Sequence, residues 1–458
     1  MDLFPERGER PHSRWFGLTW GRGRRLTTIV ATFGAFAAVV APASAASTAF
    51  GATTVGAVYV ASNSYAGNQI LTFPRYADGS LGPVEAATAT GGKGSGAGSG
   101  SGALAEIQND PLGSQGSLLA DPTGRFLYAV NAGSNDVSVF TVTPIGLKLV
   151  DREPSGGAYP VSLTAYGNTL YVLNAVGNSV TGYTVTGGGQ LIRPTTCGLP
   201  ALPAGMDPLL PATAASSAQP VSTQTAGQVG FSPDGTLLLV VSKEGPLALG
   251  FPFGNTLGSG RIYAYQVDSF RGTLRNCGNP HTFTFPLNSP GQGKFPFSFT
   301  WSAQGDLIVN EVFGSSSLPS NLPGGVSALG TFAVSADGSL TPITTVPDPL
   351  PVPCWIVRGG NKVYVANYLG SGITDYQVTA QGTLNLMANP ITPLGAGTVP
   401  IDMAISGDGQ FLYQLDPGTA RVFPFQVRGT GSLTPLPSMS PGLPPNSGDM
   451  GIATVTFF

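Results

Sequence analysis

Histidine is almost absent from this chain: its 458 residues include only His12 and His281. Cysteine is nearly as scarce, with three residues, and Asp, Glu, Lys and Arg together make up 10%. A His or Cys cluster with metal-ligand spacing cannot be assembled from so few groups, so the sequence implies no metal centre and no cofactor. Positive charge is also lacking. The formal net charge is −3, and residues 1–45 hold six of the 21 Lys and Arg, leaving 15 basic against 21 acidic groups in the remainder. No basic stripe survives, which excludes nucleic acid and an anionic membrane surface as partners. Long apolar runs are missing too, apart from "IVATFGAFAAVVAPASA" near the start. That run is too short and too Ala-rich for a membrane anchor. It follows a basic stretch with Arg22, Arg24 and Arg25 and ends in Ala43-Ser44-Ala45, so residues 1–45 read as a cleavable signal peptide. The paired Arg24-Arg25 permits twin-arginine export, although Leu26-Thr27-Thr28 matches that signal only loosely. The expected location is secreted or cell envelope, with residues 46–54 as a linker and no membrane span in the mature chain.

What is abundant is glycine, 65 residues, and proline, 40. Without a period this would indicate disorder, but here both fall between hydrophobic strands. Only "GGKGSGAGSGSG", residues 91–102, lacks an apolar anchor and reads as a flexible loop. Elsewhere a module recurs about seven times: an inner strand, "S-P-D-G", "L-Y-V-x-N", a turn, "V-x-x-Y-x-V" and "G-x-L". Clear copies start at Leu118, Val161, Cys354 and Met403. Periods of roughly 40 to 50 residues, with short alternating strands and Gly or Asn turns, indicate a β-propeller. Pairs such as Asp234-Gly235, Asp337-Gly338 and Asp408-Gly409 suit tight hairpins. A lone four-stranded sheet cannot bury both faces, so the copies must stack around an axis.

Full copies begin near Gly113, Tyr159, Gln219, Lys294, Pro351 and Thr398, while residues 55–87 lack an inner strand. "MGIATVTFF", residues 450–458, alternates like an innermost strand. The expected fold is therefore all-β: one seven-bladed β-propeller over residues 55–458, closed by pairing of the C-terminal strand with the first blade. Closure removes exposed sheet edges.

Cys197 and Cys277 each follow an outer strand and occupy similar places in neighbouring blades, which in an exported protein favours a disulfide between them. Cys354, in "PVPCWIV", reads as a small buried apolar residue. The longest non-repeat segments, 88–112, 198–218, 243–260, 278–293 and 311–330, fall at second-to-third-strand or blade-to-blade connections and should gather on one rim. Loops on a rigid scaffold commonly carry function. Several here hold aromatic groups, including Phe251 and Phe253 in "PLALGFPFGN" and the "KFPFSFTW" run. They either form a binding rim or pack on each other and cap the channel.

The "F-S-P-D-G" run from Phe231, "R-I-Y-A-Y-x-V", the "L-Y-V-x-N" strands and the closing "D-G-x-L" or "Q-G-x-L" turns resemble the seven-bladed lactonase family, which includes 6-phosphogluconolactonases and carboxy-muconate cyclases. The resemblance covers nearly the whole mature chain and rests on turn and core residues. It implies a polar cluster on the channel rim, from which this chain departs. Where the family has His-x-His-x-Val-x-Phe, Thr225 and Gly227 stand in the histidine places. Phe297 and Ser298 stand where a Gly-Pro-Arg-His stretch would put arginine and histidine. Asn310-Glu311 keeps the family's Asn-Glu pair, and Asn367-Tyr368-Leu369 replaces Asn-Arg-Gly.

Opening or closing a lactone needs a general acid or base and a positive group for the oxyanion. Glu311 is the one candidate catalytic residue, and its alternative reading is a solvated carboxylate at a loop mouth. Lys243, Lys294 and Arg261 are candidate binding cations, although Lys243-Glu244 also reads as a surface pair and Arg261 as a structural residue. His281 could act as a base only if its link folded back over the channel. Two functions remain open: a binding or surface-interaction propeller, whose small-molecule, glycan or protein ligand meets Phe251, Phe253, Phe297, Tyr368, Lys243 and Arg261, and a lactone hydrolase or cyclase rearranged around Glu311. The "YVxN" repeats also resemble surface-layer propellers of prokaryotic envelopes, which supports the binding class.

Overall fold

The computed structural model describes residues 53–96, 110–176, 179–193, 226–243, 260–268, 272–275, 280–285, 295–312, 327–429, 432–437, 443 and 448–457. Residues 1–45, Thr225, Phe251, Phe253, Lys294, Cys197 and Cys277 lie outside this set, and the expectations attached to them with it.

Seven antiparallel sheets make up the ring. Blades 2, 3, 6 and 7 follow the repeat, from inner to outer strand: Leu118–Ala120 to Gly146–Pro154, Ala158–Tyr166 to Leu191–Ile192, Pro353–Gly359 to Leu384–Pro393, and Met403–Ile405 to Leu433–Pro435. Blade 5 runs from Phe295–Trp301 to Leu340–Pro347. Blade 1 is composite. Its inner strand is Ile452–Thr456, which pairs with Thr54–Ala61 in a register that sets Val58 opposite Thr454. The expected closure is thus present. Arg75, buried in the third strand, donates to Thr456 Oγ1 at 2.7 Å, and a Cβ on Gly56 would fall 2.3 Å from the carbonyl oxygen of Val455. Only glycine lets the two strands approach so closely there.

Blade 4 departs from the expected pattern. Its outer edge is shared by Thr273–Leu274 and His281–Thr284, both paired with Arg261–Asp268. Residues 281–284 therefore belong to the sheet and not to an inserted loop. Likewise Glu311 lies inside the strand Leu307–Val312.

The local chemistry of the repeat explains each blade. In the "S-P-D-G" turn, Ser232 Oγ donates to Asp234 Oδ1 at 2.5 Å and accepts from Leu237 N at 2.9 Å, while Gly235 takes φ +70°. Ser406, Asp408 and Gly409 repeat this arrangement in blade 7. The tyrosine of "L-Y-V" then ties one blade to the next. Tyr171 donates to Gly272 O at 2.9 Å and Tyr413 to Gly79 O at 3.0 Å, both in neighbouring blades. Asparagines ending the second strands are buried and bonded: Asn131 donates to Asp136 and Ser138, and Asn367 to Thr374. The amide donors of these asparagines are thus bonded inside their own blades, as burial requires of them.

Candidate functional site on the channel rim

Four inner strands slip register at the same level. The irregularities fall between Pro160 and Ser162, Ala226 and Gln228, Pro296 and Phe299, and Pro353 and Trp355. Bulges of this kind re-aim side chains and often accompany sites. They set Val161, Gly227, Phe297-Ser298 and Cys354 around one ring of the channel, and three of those positions, Gly227, Phe297 and Ser298, are places where the resemblance implies polar groups.

Gly227 cannot carry a side chain here. A Cβ would fall 2.1 Å from the carbonyl oxygen of Phe297. Blades 4 and 5 therefore touch main chain to main chain where a histidine would stand. Ser298 is fully buried, and its N–H donates to Asn310 Oδ1 at 2.8 Å. Both Ser298 Oγ and Asn310 Nδ2 donate to the carbonyl of Cys354, so these residues staple blade 5 to blade 6. Phe297 packs its ring edge-on to Trp355 at 5.0 Å, and Trp355 lies 6.0 Å from Tyr368. Phe297, Trp355 and Tyr368 thus form one aromatic cluster, with Cys354 buried in the same core and its thiol free.

Lys243 is buried and not on the surface. Its ammonium lies 4.8 Å from the centroid of the Phe297 ring and donates to the carbonyl of Gly113. Burial pushes its pKa down, opposed by the charge of Asp110. Burial pushes the Asp110 carboxyl up, opposed by Lys243 and by a 2.8 Å bond from Gly113 N–H. Desolvation likewise raises the Cys354 thiol, so it stays protonated. Asp402 is a second buried acid close by, raised by burial to about 7.

Glu311 is buried in its strand, opposite Pro296 and Ala328, and is not a solvated carboxylate. Its Oε1 lies over Gly330, where a Cβ would approach to 2.5 Å. Arg261 is half-buried at the start of its strand, opposite Ser242 and Thr284. His281 is exposed at the periphery, with Nε2 3.7 Å from Asp337 Oδ2 in the turn between the third and fourth strands of blade 5. His281 thus lies in an outer-edge strand of blade 4 and does not fold back over the channel.

The structure therefore brings Lys243, Phe297 and Tyr368 together and adds Trp355, Asp110 and Asp402, which sequence reasoning missed. Trp355 stood in the quoted "PVPCWIV" but gave no periodic signal of pointing inward. Asp110 follows a Gly-rich stretch, and only the length of that blade-to-blade link set it apart.

A family model described as "Lactonase, 7-bladed beta-propeller" matches residues 113–200 and 321–449. Among solved structures, the periplasmic gluconolactonase of Pseudomonas aeruginosa is similar at 17% identity and a TM-score of 0.59, over 88% of this chain and 99% of that one. A candidate 6-phosphogluconolactonase from Bacteroides fragilis is similar at 18% identity and a TM-score of 0.55, over 88% and 98%. At such identity the likeness is one of fold. No curated protein matches the chain.

Proposed function

We propose that this chain, which belongs to the seven-bladed β-propeller lactonase family, is an exported binding propeller whose lactonase site is degenerate. The carrying observation is Gly227: the place that the family resemblance gives to a histidine is closed by backbone contact with Phe297. Phe297 and Tyr368 stand in the places the resemblance gives to arginines, and with Trp355 they form a buried aromatic cluster where a phosphorylated sugar acid would need cations. The nearest ammonium among the described residues, Lys243, is already committed to Gly113 and Asp110. Such a cluster favours an uncharged or aromatic small molecule, a glycan ring or an aromatic side chain of a protein ligand. Export through the leader of residues 1–45 places this binding outside the cytoplasm.

The second reading is a lactone hydrolase or cyclase built around Glu311. It is favoured by the retained Asn310-Glu311 pair and by a buried acid and cation, Asp110 and Lys243, at the channel.

Steady-state turnover decides between them. The parent and Glu311→Gln are assayed on 6-phosphogluconolactone and on a neutral aromatic lactone. The binding reading expects no turnover of either. Hydrolysis of the phosphorylated substrate at roughly 1 per second or more would overturn it. Hydrolysis of the neutral lactone alone, lost in Glu311→Gln, would establish the second reading.

A further inference from the structure

The link between blades 1 and 2 does not stay on the rim; residues 113–117 run into the centre of the ring. Five consecutive carbonyls there are captured in turn. Lys243 Nζ donates to Gly113 O, Trp355 Nε1 to Ser114 O at 2.9 Å, and Ser162 Oγ to Gln115 O at 2.7 Å. Leu163 N then donates to Gly116 O at 2.8 Å and Val130 N to Ser117 O at 3.0 Å. These donors come from blades 4, 6, 3, 3 and 2. A segment bonded to blades 3, 4 and 6 at once can lie only on the axis.

Bonds also run in the other direction. Gln115 N donates to Gly227 O at 3.0 Å, and Gly116 N–H to the carboxylate of Asp402 in the entry to blade 7. Ser114 Oγ donates to Val161 O at 2.7 Å. The Gln115 carboxamide pairs with a peptide group as a neighbouring strand would: Nε2 donates to Ile356 O at 2.8 Å, and Oε1 accepts from Ile356 N at 3.0 Å. Gly113 and Gly116 take φ +57° and +83°, so the chain turns from one blade to the next between captured carbonyls.

A connector needs only to span its ends. This one is read along its main chain, with one side chain selected by shape and hydrogen bonding, as bound peptides are. We propose that the axial channel is a recognition site for a small-residue peptide that turns at its glycines and carries a carboxamide side chain, and that the chain fills this site in cis with residues 110–117. The plug shuts the channel and clasps five blades. It also makes the site available in trans to a peptide of the same character whenever the link is withdrawn. Lys243 and Trp355 donate to the plug and also belong to the aromatic cluster, so the inference bears on the site of the proposed function and rests on that reading.

Cys354 is a built-in reporter. It is 5% exposed, and its thiol is close enough to Asp110 and Lys243 to feel both charges. In one variant residues 110–117 are replaced by eight alternating glycines and serines, and iodoacetamide labelling of Cys354 is followed by peptide mass mapping. Labelling should be at least ten-fold faster than in the parent. The synthetic octapeptide Asp-Pro-Leu-Gly-Ser-Gln-Gly-Ser should slow it saturably, at concentrations up to the millimolar range expected for a tethered segment, and the same peptide with Gln replaced by Ala should not. Fast labelling that the octapeptide fails to slow, or labelling unchanged from the parent, would overturn the proposal. If the replacement variant does not fold, Gln115→Ala decides. Faster hydrogen exchange of residues 113–116 together with faster Cys354 labelling supports the plug, and parental rates for both overturn it.

Discussion

Replacing Gly227 with alanine tests the contact on which the functional reading stands. The added Cβ would sit 2.1 Å from Phe297 O and 3.1 Å from Phe297 C. An ordinary carbon–oxygen contact is about 1 Å longer, so the inner strands of blades 4 and 5 must separate by roughly that amount, against a packed core that costs about 1 to 3 kcal/mol to overfill. The shift also loosens the bond from Gln115 N to Gly227 O, worth about 1 kcal/mol. A loss of about 3 kcal/mol is expected. At about 2.1 cal/mol/K per residue, a ring of about 400 residues has a melting entropy near 0.8 kcal/mol/K, so Tm should fall by about 4 °C. The assay is differential scanning calorimetry, with Gly67→Ala as the control because nothing lies within 4 Å of a Cβ at that position. Gly227→His should be worse than Gly227→Ala and should confer no lactonase activity. A Gly227→Ala protein that melts within 1 °C of both parent and control would refute the argument that the histidine place is sterically closed.

Deleting residues 450–458 removes the inner strand of blade 1, with Met450, Ile452 and Val455 buried and five residue pairs formed with the neighbouring strand. At about 1.5 to 3 kcal/mol per buried side chain, the loss should exceed 5 kcal/mol, and a truncated chain with an unchanged denaturant midpoint would contradict the closure. The buried acids predict a pH dependence. Burial raises Asp375 to about 8, opposed by Lys362, and raises Asp402 to about 7. Unfolded carboxyls ionise near 4, so between about pH 4 and 8 the folded chain holds more protons than the unfolded one and stability falls as pH rises, by up to about 1.4 kcal/mol per unit per group. Asp375→Asn should therefore gain on the parent from pH 5 to pH 8 in chemical denaturation, and a constant difference across that range would exclude the assignment.

Much of the fold was legible in the sequence because a propeller repeats its local chemistry. "S-P-D-G" turns, alternating strands and "L-Y-V-x-N" ends are short-range devices, and their spacing gave seven blades. The incomplete first copy and the alternating C-terminal strand gave the closure, since a missing strand and an unpaired one must meet. The split outer edge of blade 4 was not legible, because His281–Thr284 is short and follows an insertion.

The candidate site divides differently. That Gly227, Phe297 and Tyr368 stand where the resemblance implies His and Arg could be read from the sequence, and so could the burial of Cys354. Sequence alone left Lys243 on the surface and Glu311 at a loop mouth, because burial of a charged side chain depends on what other segments bring to it. Lys243 is buried because residues 110–113 reach it from 130 positions away. Trp355 faces the axis because Ser114, 241 positions distant, accepts its N–H. A repeat determines how each blade folds against its neighbour, but what fills the axis is set by one non-repeating link. Nothing local distinguishes a link that spans from one that is bound, and only the convergence of blades 2, 3, 4 and 6 supplied the donors that bind it.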